Sequence, residues 1–412
     1  MKKKFDIAVI GSGPGGIAAA LRAASLGRKV AVIEKGELGG VCLNTGCIPT
    51  KTLIASVSLL STVKKAADLG ISLKEPKIEW DKVLERKNRV ISKLRKGIEL
   101  SFRRSGIEVI NGTGAVKGPG AVSTGSDEIS CKKIIIATGS EKQLMPGFKN
   151  ALTSDEVLEI KEIPSSMAII GGGAVGIEFA SIFAALGTNV TVYEMMPSIL
   201  PGTDTDISLE LTRSLEKSGI SVLAGAAADP EKIRSDVVLT TGRRFKKIRV
   251  DRSMETEEKG IYAVGDVTGI ANYAHTATMQ GITAADNACG IKREMDYTAV
   301  PSCVFTDPEV ASVGMTQQAA EEAEIDFAAS KFHFAALGRS SCSGDLRGFV
   351  KLIAEKNTGT VIGCHIIGQH ASDMIQEAVT AVRHKMTAAD LANTIHAHPT
   401  LPEGVWEAAR AL

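Results

Sequence analysis

The sequence predicts an α/β fold in which two Rossmann-like, parallel-stranded nucleotide units precede a C-terminal α+β module. Three observations carry that reading. Gly11, Gly13 and Gly16 form a GxGxxG turn between an apolar strand and an apolar helix. The same fingerprint returns at Gly171, Gly173 and Gly176, again between a strand and a helix. Beyond Tyr297 the pattern changes to short strand signals, followed by helical spacing near 370–385 and 402–411. Strand–helix alternation argues for parallel sheets, and an internal repeat of the fingerprint is stronger evidence than either copy alone.

At 412 residues the chain is long enough for two or three domains with substantial cores. Its net charge of +1 supplies no electrostatic reason to expect nucleic acid as a partner. The basic start, MKKKFDIAVIGSG, runs at once into glycines and has no secretory cleavage pattern, so it reads as a strand of a cytoplasmic chain. No run of eighteen consecutive apolar residues occurs, and no membrane partner is expected. The seven cysteines are dispersed and odd in number, which argues against a disulfide framework and suits a reducing compartment.

In the first unit, FDIAVIGSGPGGIAAALRAASLGRKVAVIEK, Gly11 and Gly13 permit the turn and close phosphate approach, and Gly16 permits close helix–strand packing. The helix N-terminus then faces a pyrophosphate. Glu34 ends the second strand, where a carboxylate accepts hydrogen bonds from ribose hydroxyls.

Directly behind lies GGVCLNTGCIPTK, with Cys42 and Cys47 five residues apart. In an undistorted helix their Cα atoms would be about 8.6 Å apart, beyond the usual disulfide range of about 4.4–6.8 Å. Gly46 supplies a place for the distortion a bridge would need, and Pro49 fits the first turn of the next helix. Spacing alone leaves a redox pair and two unbridged thiols both open. Zinc is disfavoured, because no second cysteine pair or nearby histidines accompany them.

Residues 52–68 and 81–104 have helical apolar spacing; the second is charged, with acids interleaved, and reads as a solvated surface helix. Glycine-rich residues 112–120 read as loops around short strands, and KKIIIATGS as a buried strand running into a turn. The second unit, SSMAIIGGGAVGIEFASIFAALGTNVTVYEM, places Glu194 eighteen residues after Gly176, as Glu34 follows Gly16. After Gly219 the unit is short, retaining one strand and a VVLTTGR segment.

The tract CLNTGCIPTK, the two fingerprints, KKIIIATGS, ETEEKGIYAVGDVTG and HAHPTLPEGVWEA together resemble the pyridine nucleotide–disulfide oxidoreductases over nearly the whole chain. The resemblance implies an FAD-binding domain at residues 1–145 and 257–296, a shortened NAD-binding domain at 146–256, and an interface domain at 297–412. It implies that Cys42 and Cys47 form the redox disulfide, with Cys42 meeting the substrate and Cys47 on the flavin side. It pairs Lys51 with Glu178 near the flavin, and gives Gly265 and Asp266 a role at the FAD ribityl or ribose region. His275 is expected to be a structural residue on the flavin side. His398, oriented by Glu403, is implied as the base, reaching the cysteines of the other subunit of a homodimer. His396 is the neighbour expected to be structural, and Pro402 stands where the family commonly has serine.

The first unit is thereby expected to hold FAD and the second NAD, since Glu194 would repel a 2′-phosphate. The implied substrate is dihydrolipoamide, free or on a lipoyl domain of a 2-oxoacid dehydrogenase complex. Two alternatives stand beside it. One is a related flavoprotein with another thiol or disulfide substrate; the other is an FAD-bound interaction protein impaired in NAD turnover, because the second unit lacks much of the family's β-meander.

Overall fold

The computed structural model describes residues 3–74, 76–125 and 127–412. Its first sheet has the strand order Glu108–Asn111, Val30–Glu34, Lys4–Ile10, Glu128–Ile136, Ala121–Ser123, Ala115–Gly118. The strands from Glu108–Asn111 to Glu128–Ile136 pair in parallel, and the last two add an antiparallel edge. Ile261–Ala263 joins parallel to Glu128–Ile136, although the chain between them builds a second sheet. This return explains how a signature near residue 265 comes beside the first glycine turn.

Small residues set the packing over this sheet. A Cβ on Gly281 would come within 2.2 Å of Gly15 O, so the helices Pro14–Ser25 and Ala274–Ala288 touch at a backbone-to-backbone approach that only glycine admits.

The second sheet is wholly parallel, in the order Ser221–Ala224, Asn189–Glu194, Ser166–Ile170, Val237–Thr240, Leu152–Thr153. Val190 and Val192 turn into the core, whereas Thr191 and Tyr193 are only half-buried on the opposite face. Residues 225–236 are the short crossing on which the abbreviated sequence relies. A cavity of about 430 Å³ lies beside them, lined by Tyr193, Val222, Ala227, Lys232 and Ile233. An antiparallel ribbon of Glu141–Lys142 with Arg243–Arg244 ties together the exit from the first sheet and the return to it.

The third sheet is antiparallel, ordered Ser302–Val304, Glu309–Gly314, Val361–Gly368, Phe349–Glu355, Phe327–His333. Its core joins Ala311, Leu352 and Ile366 to Ala378 and Val405 of the helices Ala371–His384 and Glu403–Arg410. These helices answer the spacing read from the sequence. The sequence reading had no counterpart for the helix Ala388–Ala392, although Thr387 and Asp390 form a capping box at its start. A buried ion pair fastens this module to the second: Lys351 Nζ lies 2.9 Å from both carboxylate oxygens of Asp204 and 2.8 Å from Asp206.

The helix expected over 52–68 begins earlier, at Cys47, and ends at Lys64, with a tighter turn at Ala66–Leu69. The helix expected over 81–104 spans Trp80–Arg104. By length and composition alone Gly40–Lys64 is long and apolar enough to cross a membrane. It is instead two helices, Gly40–Asn44 and Cys47–Lys64, broken at Thr45–Gly46.

Candidate active site

The two glycine turns repeat each other in atomic detail. A Cβ on Gly16 would meet Gly11 O at 2.0 Å, and one on Gly176 would meet Gly171 O at 2.0 Å, so the third glycine of each turn is a packing requirement. The middle glycines, Gly13 and Gly173, face open space at the N-termini of their helices. Gly11 and Gly171 have φ of +100° and +111°, a left-handed backbone that favours glycine. Beside each turn stands an acid on a strand end. Glu34 Oε2 accepts from Ser12 N at 2.8 Å and Oε1 from Gly36 N at 2.9 Å. Glu194 Oε2 accepts from Gly172 N at 2.7 Å and Oε1 from Met196 N at 2.8 Å. Two open cradles with amide-anchored carboxylates fit two dinucleotides, FAD and NAD, each held by pyrophosphate and ribose.

Of the three positions at which the turns differ, GSGPGG against GGGAVG, one bears on the acid beside them. Ser12 is fully buried; its hydroxyl donates to Glu34 Oε2 at 2.7 Å and accepts from Gly39 N at 3.3 Å, tying the first turn to the cysteine segment. In the second copy a side chain at Gly172 would be tight, since its Cβ would stand 3.0 Å from Glu194 Cβ and from Ile199 Cγ2.

Cys42 lies within the helix Gly40–Asn44 and Cys47 opens the helix Cys47–Lys64, so the pair straddles the break at Gly46. Both are thiols here, and partly buried. The Cys42 thiol hydrogen-bonds the Cys47 sulfur, which holds Cys47 down to about 7 and pushes Cys42 above the ordinary thiol range. Lys51, one turn on, adds a cationic field that also favours the Cys47 thiolate. Between the cysteines, Asn44 Nδ2 donates to Leu38 O and Gly40 O at 3.1 and 2.9 Å, and its Oδ1 accepts from Arg95 at 2.7 Å. Neither this brace nor Ser12 was singled out from sequence; Asn44 could have been, as a polar residue at a helix end.

Lys51 meets Glu178 as the resemblance implies. Its Nζ lies 2.8 and 2.7 Å from the carboxylate oxygens, and Glu178 is only 4% exposed. Phe305 completes this contact and was missed, because nothing local in VPSCVFTDPE marks it. Its backbone N–H donates to Glu178 Oε1 at 3.0 Å, and its ring centroid lies 4.5 Å from Lys51 Nζ.

Gly265 and Asp266 form a turn directly after the strand Ile261–Ala263. Gly265 has φ of +76° and donates its N–H to Gln280 Oε1 at 2.7 Å. Asp266 Oδ2 accepts from Ser140 Oγ at 2.6 Å, and Ser140 Oγ in turn accepts from Arg243 Nε at 2.8 Å. His275 is stacked on Tyr273 and bonded to Pro301 O at 2.9 Å, and burial lowers its basicity.

His398 Nδ1 stands 2.8 Å from Glu403 Oε1, and Glu403 Oε2 accepts Thr400 N at 2.7 Å. Those two hydrogen bonds hold the Glu403 carboxyl below its usual range, the Thr400 amide first and His398 second. Glu403 begins the helix Glu403–Arg410 directly after Pro402, where a carboxylate also suits the positive end of the helix. His396 is occupied elsewhere, between Glu377 Oε1 at 2.8 Å and Thr394 O at 2.9 Å.

Comparisons with known proteins agree along the whole chain. The family model for pyridine nucleotide-disulphide oxidoreductase matches residues 5–247, and the model for the dimerisation domain of that family matches residues 300–409. The dihydrolipoyl dehydrogenase of Bacillus subtilis (strain 168) is 36% identical over 466 aligned positions, covering 100% of this chain and 98% of the relative. Since the chain has 412 residues, that relative carries stretches without a counterpart here. The dihydrolipoyl dehydrogenase of Chlamydia trachomatis serovar D is 39% identical, covering 98% of this chain and 96% of the relative. Among solved structures, LpdA from Mycobacterium tuberculosis superposes with a TM-score of 0.91 at 27% identity, covering 99% of both chains. The HOCl-induced flavoprotein disulfide reductase RclA from Escherichia coli gives 0.88 at 26%, covering 98% of this chain and 99% of that one. The chain therefore belongs to the pyridine nucleotide-disulphide oxidoreductase family, in its dihydrolipoyl dehydrogenase branch.

Proposed function

We propose that this homodimeric oxidoreductase oxidises dihydrolipoamide at the Cys42–Cys47 pair and delivers the electrons to NAD⁺. The observation that carries the reading is the paired thiols at the Gly46 break, with Cys47 held near neutrality beside Lys51. The Lys51 cation favours the Cys47 thiolate even when Cys42 has no thiol proton to give, which makes Cys47 a good leaving group when a substrate thiolate attacks the oxidised pair at Cys42.

The chain's own residues divide the work. His398 of the partner subunit accepts the proton from the first substrate thiol, and Glu403 fixes its ring and offsets the charge gained. The substrate thiolate forms a mixed disulfide with Cys42 and releases the Cys47 thiolate. The second substrate sulfur then attacks the first, giving oxidised lipoamide and a Cys42 thiol, so two electrons and two protons leave the substrate. Lys51, anchored by Glu178, stabilises the Cys47 thiolate through this exchange. When bound, FAD supplies a two-electron acceptor for the reduced pair and a hydride donor for NAD⁺. Gly11, Gly13, Gly16, Glu34, Gly265 and Asp266 would hold it, and Gly171, Gly173, Gly176 and Glu194 would hold NAD.

A lipoyl group carried on a lipoyl domain of a 2-oxoacid dehydrogenase complex is the macromolecular form of this substrate, and a reducing cytoplasm suits a pair that must cycle. Anaerobic titration of the FAD-loaded protein with dihydrolipoamide, then with NAD⁺, tests the reading through the flavin spectrum. Bleaching by the dithiol and recovery with NAD⁺ support it; an unchanged spectrum at saturating dihydrolipoamide overturns it. The likeness to RclA favours a second reading, a reductase of another disulfide. Greater turnover on a different member of a thiol panel would select that one.

A further inference from the structure

Three parts of the fold meet at Lys51. The lysine comes from the cysteine helix, Glu178 from the helix after the second glycine turn, and Phe305 from the end of the first strand of the C-terminal sheet. Phe305 touches both partners: its amide donates to Glu178 Oε1 at 3.0 Å and its ring lies 4.5 Å from the lysine nitrogen. Glu178 is buried and the Lys51 side chain less so, so the carboxylate is the fixed member of the pair and the ammonium the one that can shift. An aromatic face within about 6 Å attracts a cation, so the Phe305 ring is a second anchor for the ammonium beside Glu178.

We infer that Phe305 is a positioning residue for the redox pair, acting through Lys51: its ring and amide hold the Lys51–Glu178 pair where the ammonium acts on Cys47. The inference rests on the Cys42–Cys47 reading above and deepens it. The physical chain is short. Lys51 favours the Cys47 thiolate, Glu178 opposes it, and the balance depends on where the ammonium sits between them. Without the ring, the ammonium loses one of its two anchors, and its field at the sulfur weakens as it moves.

The ionisable groups acting on Cys47 are Cys42, Lys51 and Glu178. Cys303, in the strand that ends just before Phe305, feels the charges of Lys51 and Glu178 and those of Glu309 and Asp373. Burial pushes its thiol up to about 11, so it stays protonated in the range of interest.

The test is the pH dependence of iodoacetamide alkylation at Cys47, read by peptide mass spectrometry in FAD-loaded Cys42→Ser protein. In that background Phe305→Leu and Phe305→Met should raise the alkylation midpoint by about half a pH unit or more, and Phe305→Tyr should restore it. In a Cys42→Ser/Lys51→Met background the same changes should leave the midpoint where Lys51→Met puts it. Circular dichroism and flavin content identify variants that remain folded, and Met keeps the side-chain volume should Leu fail. An unmoved midpoint in folded Leu or Met protein overturns the inference, and so does an equal shift in the Lys51→Met background. No substrate enters this assay, so failure on dihydrolipoamide would leave its result standing.

Discussion

His398 Nδ1 and Glu403 Oε1 are 2.8 Å apart, yet the imidazole side chain is 75% exposed and the carboxylate only 14%. Glu403 anchors the ring at Nδ1, and the rest of the imidazole is largely open. If His398 is the proton acceptor proposed above, it is complete only when a sulfur pair is brought to it. His398→Ala should therefore keep folding and FAD binding but slow dihydrolipoamide-driven flavin reduction by roughly 10²–10⁴-fold. Mixing Cys42→Ser and His398→Ala subunits should restore activity in heterodimers, where one of the two sites receives both residues. Verified heterodimers with no recovery above either parent would remove the proposal of a base supplied in trans.

Glu194 is held by two backbone amides, so its charge cannot swing away from a ribose 2′ position. Wild-type protein should prefer NAD to NADP, and Glu194→Ala should reduce that preference by about tenfold, or about 1.4 kcal/mol. The ratio of kcat/KM for the two cofactors reads it. An NADP preference in the wild type would contradict the assignment.

The buried Lys351–Asp204 pair makes a different demand. Lys351→Met strands a carboxylate that is 0% exposed and should destabilise the fold by about 3–5 kcal/mol. Adding Asp204→Asn should recover much of the loss, because the stranded charge is then gone. Urea unfolding curves for the single and double variants decide the matter; a loss under about 1 kcal/mol in the single variant would mean that the pair is solvated.

The short crossing at 225–236 leaves Tyr193 and the edge of the second sheet half-covered, while the cysteine segment of the first unit is complete. Flavin reduction by the dithiol should consequently outpace NAD⁺ reduction in separate stopped-flow half-reactions. Rapid, saturable NAD⁺ reduction at ordinary cofactor concentrations would show that the abbreviated unit loses nothing.

What was legible in the sequence shares one property: its constraint is local. Gly16 and Gly176 announce themselves because each must lie against a carbonyl five residues earlier, and Gly46 because a helix must break between two cysteines. Lys51 and Glu178 are 127 residues apart and were joined only through the resemblance of their flanking motifs. Asp204 and Lys351, 147 residues apart, had no such motif and went unread. Phe305 looked like any apolar strand residue, since a ring's use as a cation's neighbour leaves no periodicity. The helix Ala388–Ala392 was an omission with a usable signal, the Thr387–Asp390 capping pair, and the helix Thr205–Lys217 another, with Asp204 at its N-cap.

The outward-facing ring of His398 has a consequence for how the protein behaves when scarce. If the proton acceptor belongs to one polypeptide and the sulfur pair to another, turnover becomes a property of an encounter. Specific activity should then fall when the protein is diluted below its self-association constant, and it should return with second-order kinetics on reconcentration. Protein abundance would thus act as a threshold on flux, independently of substrate supply.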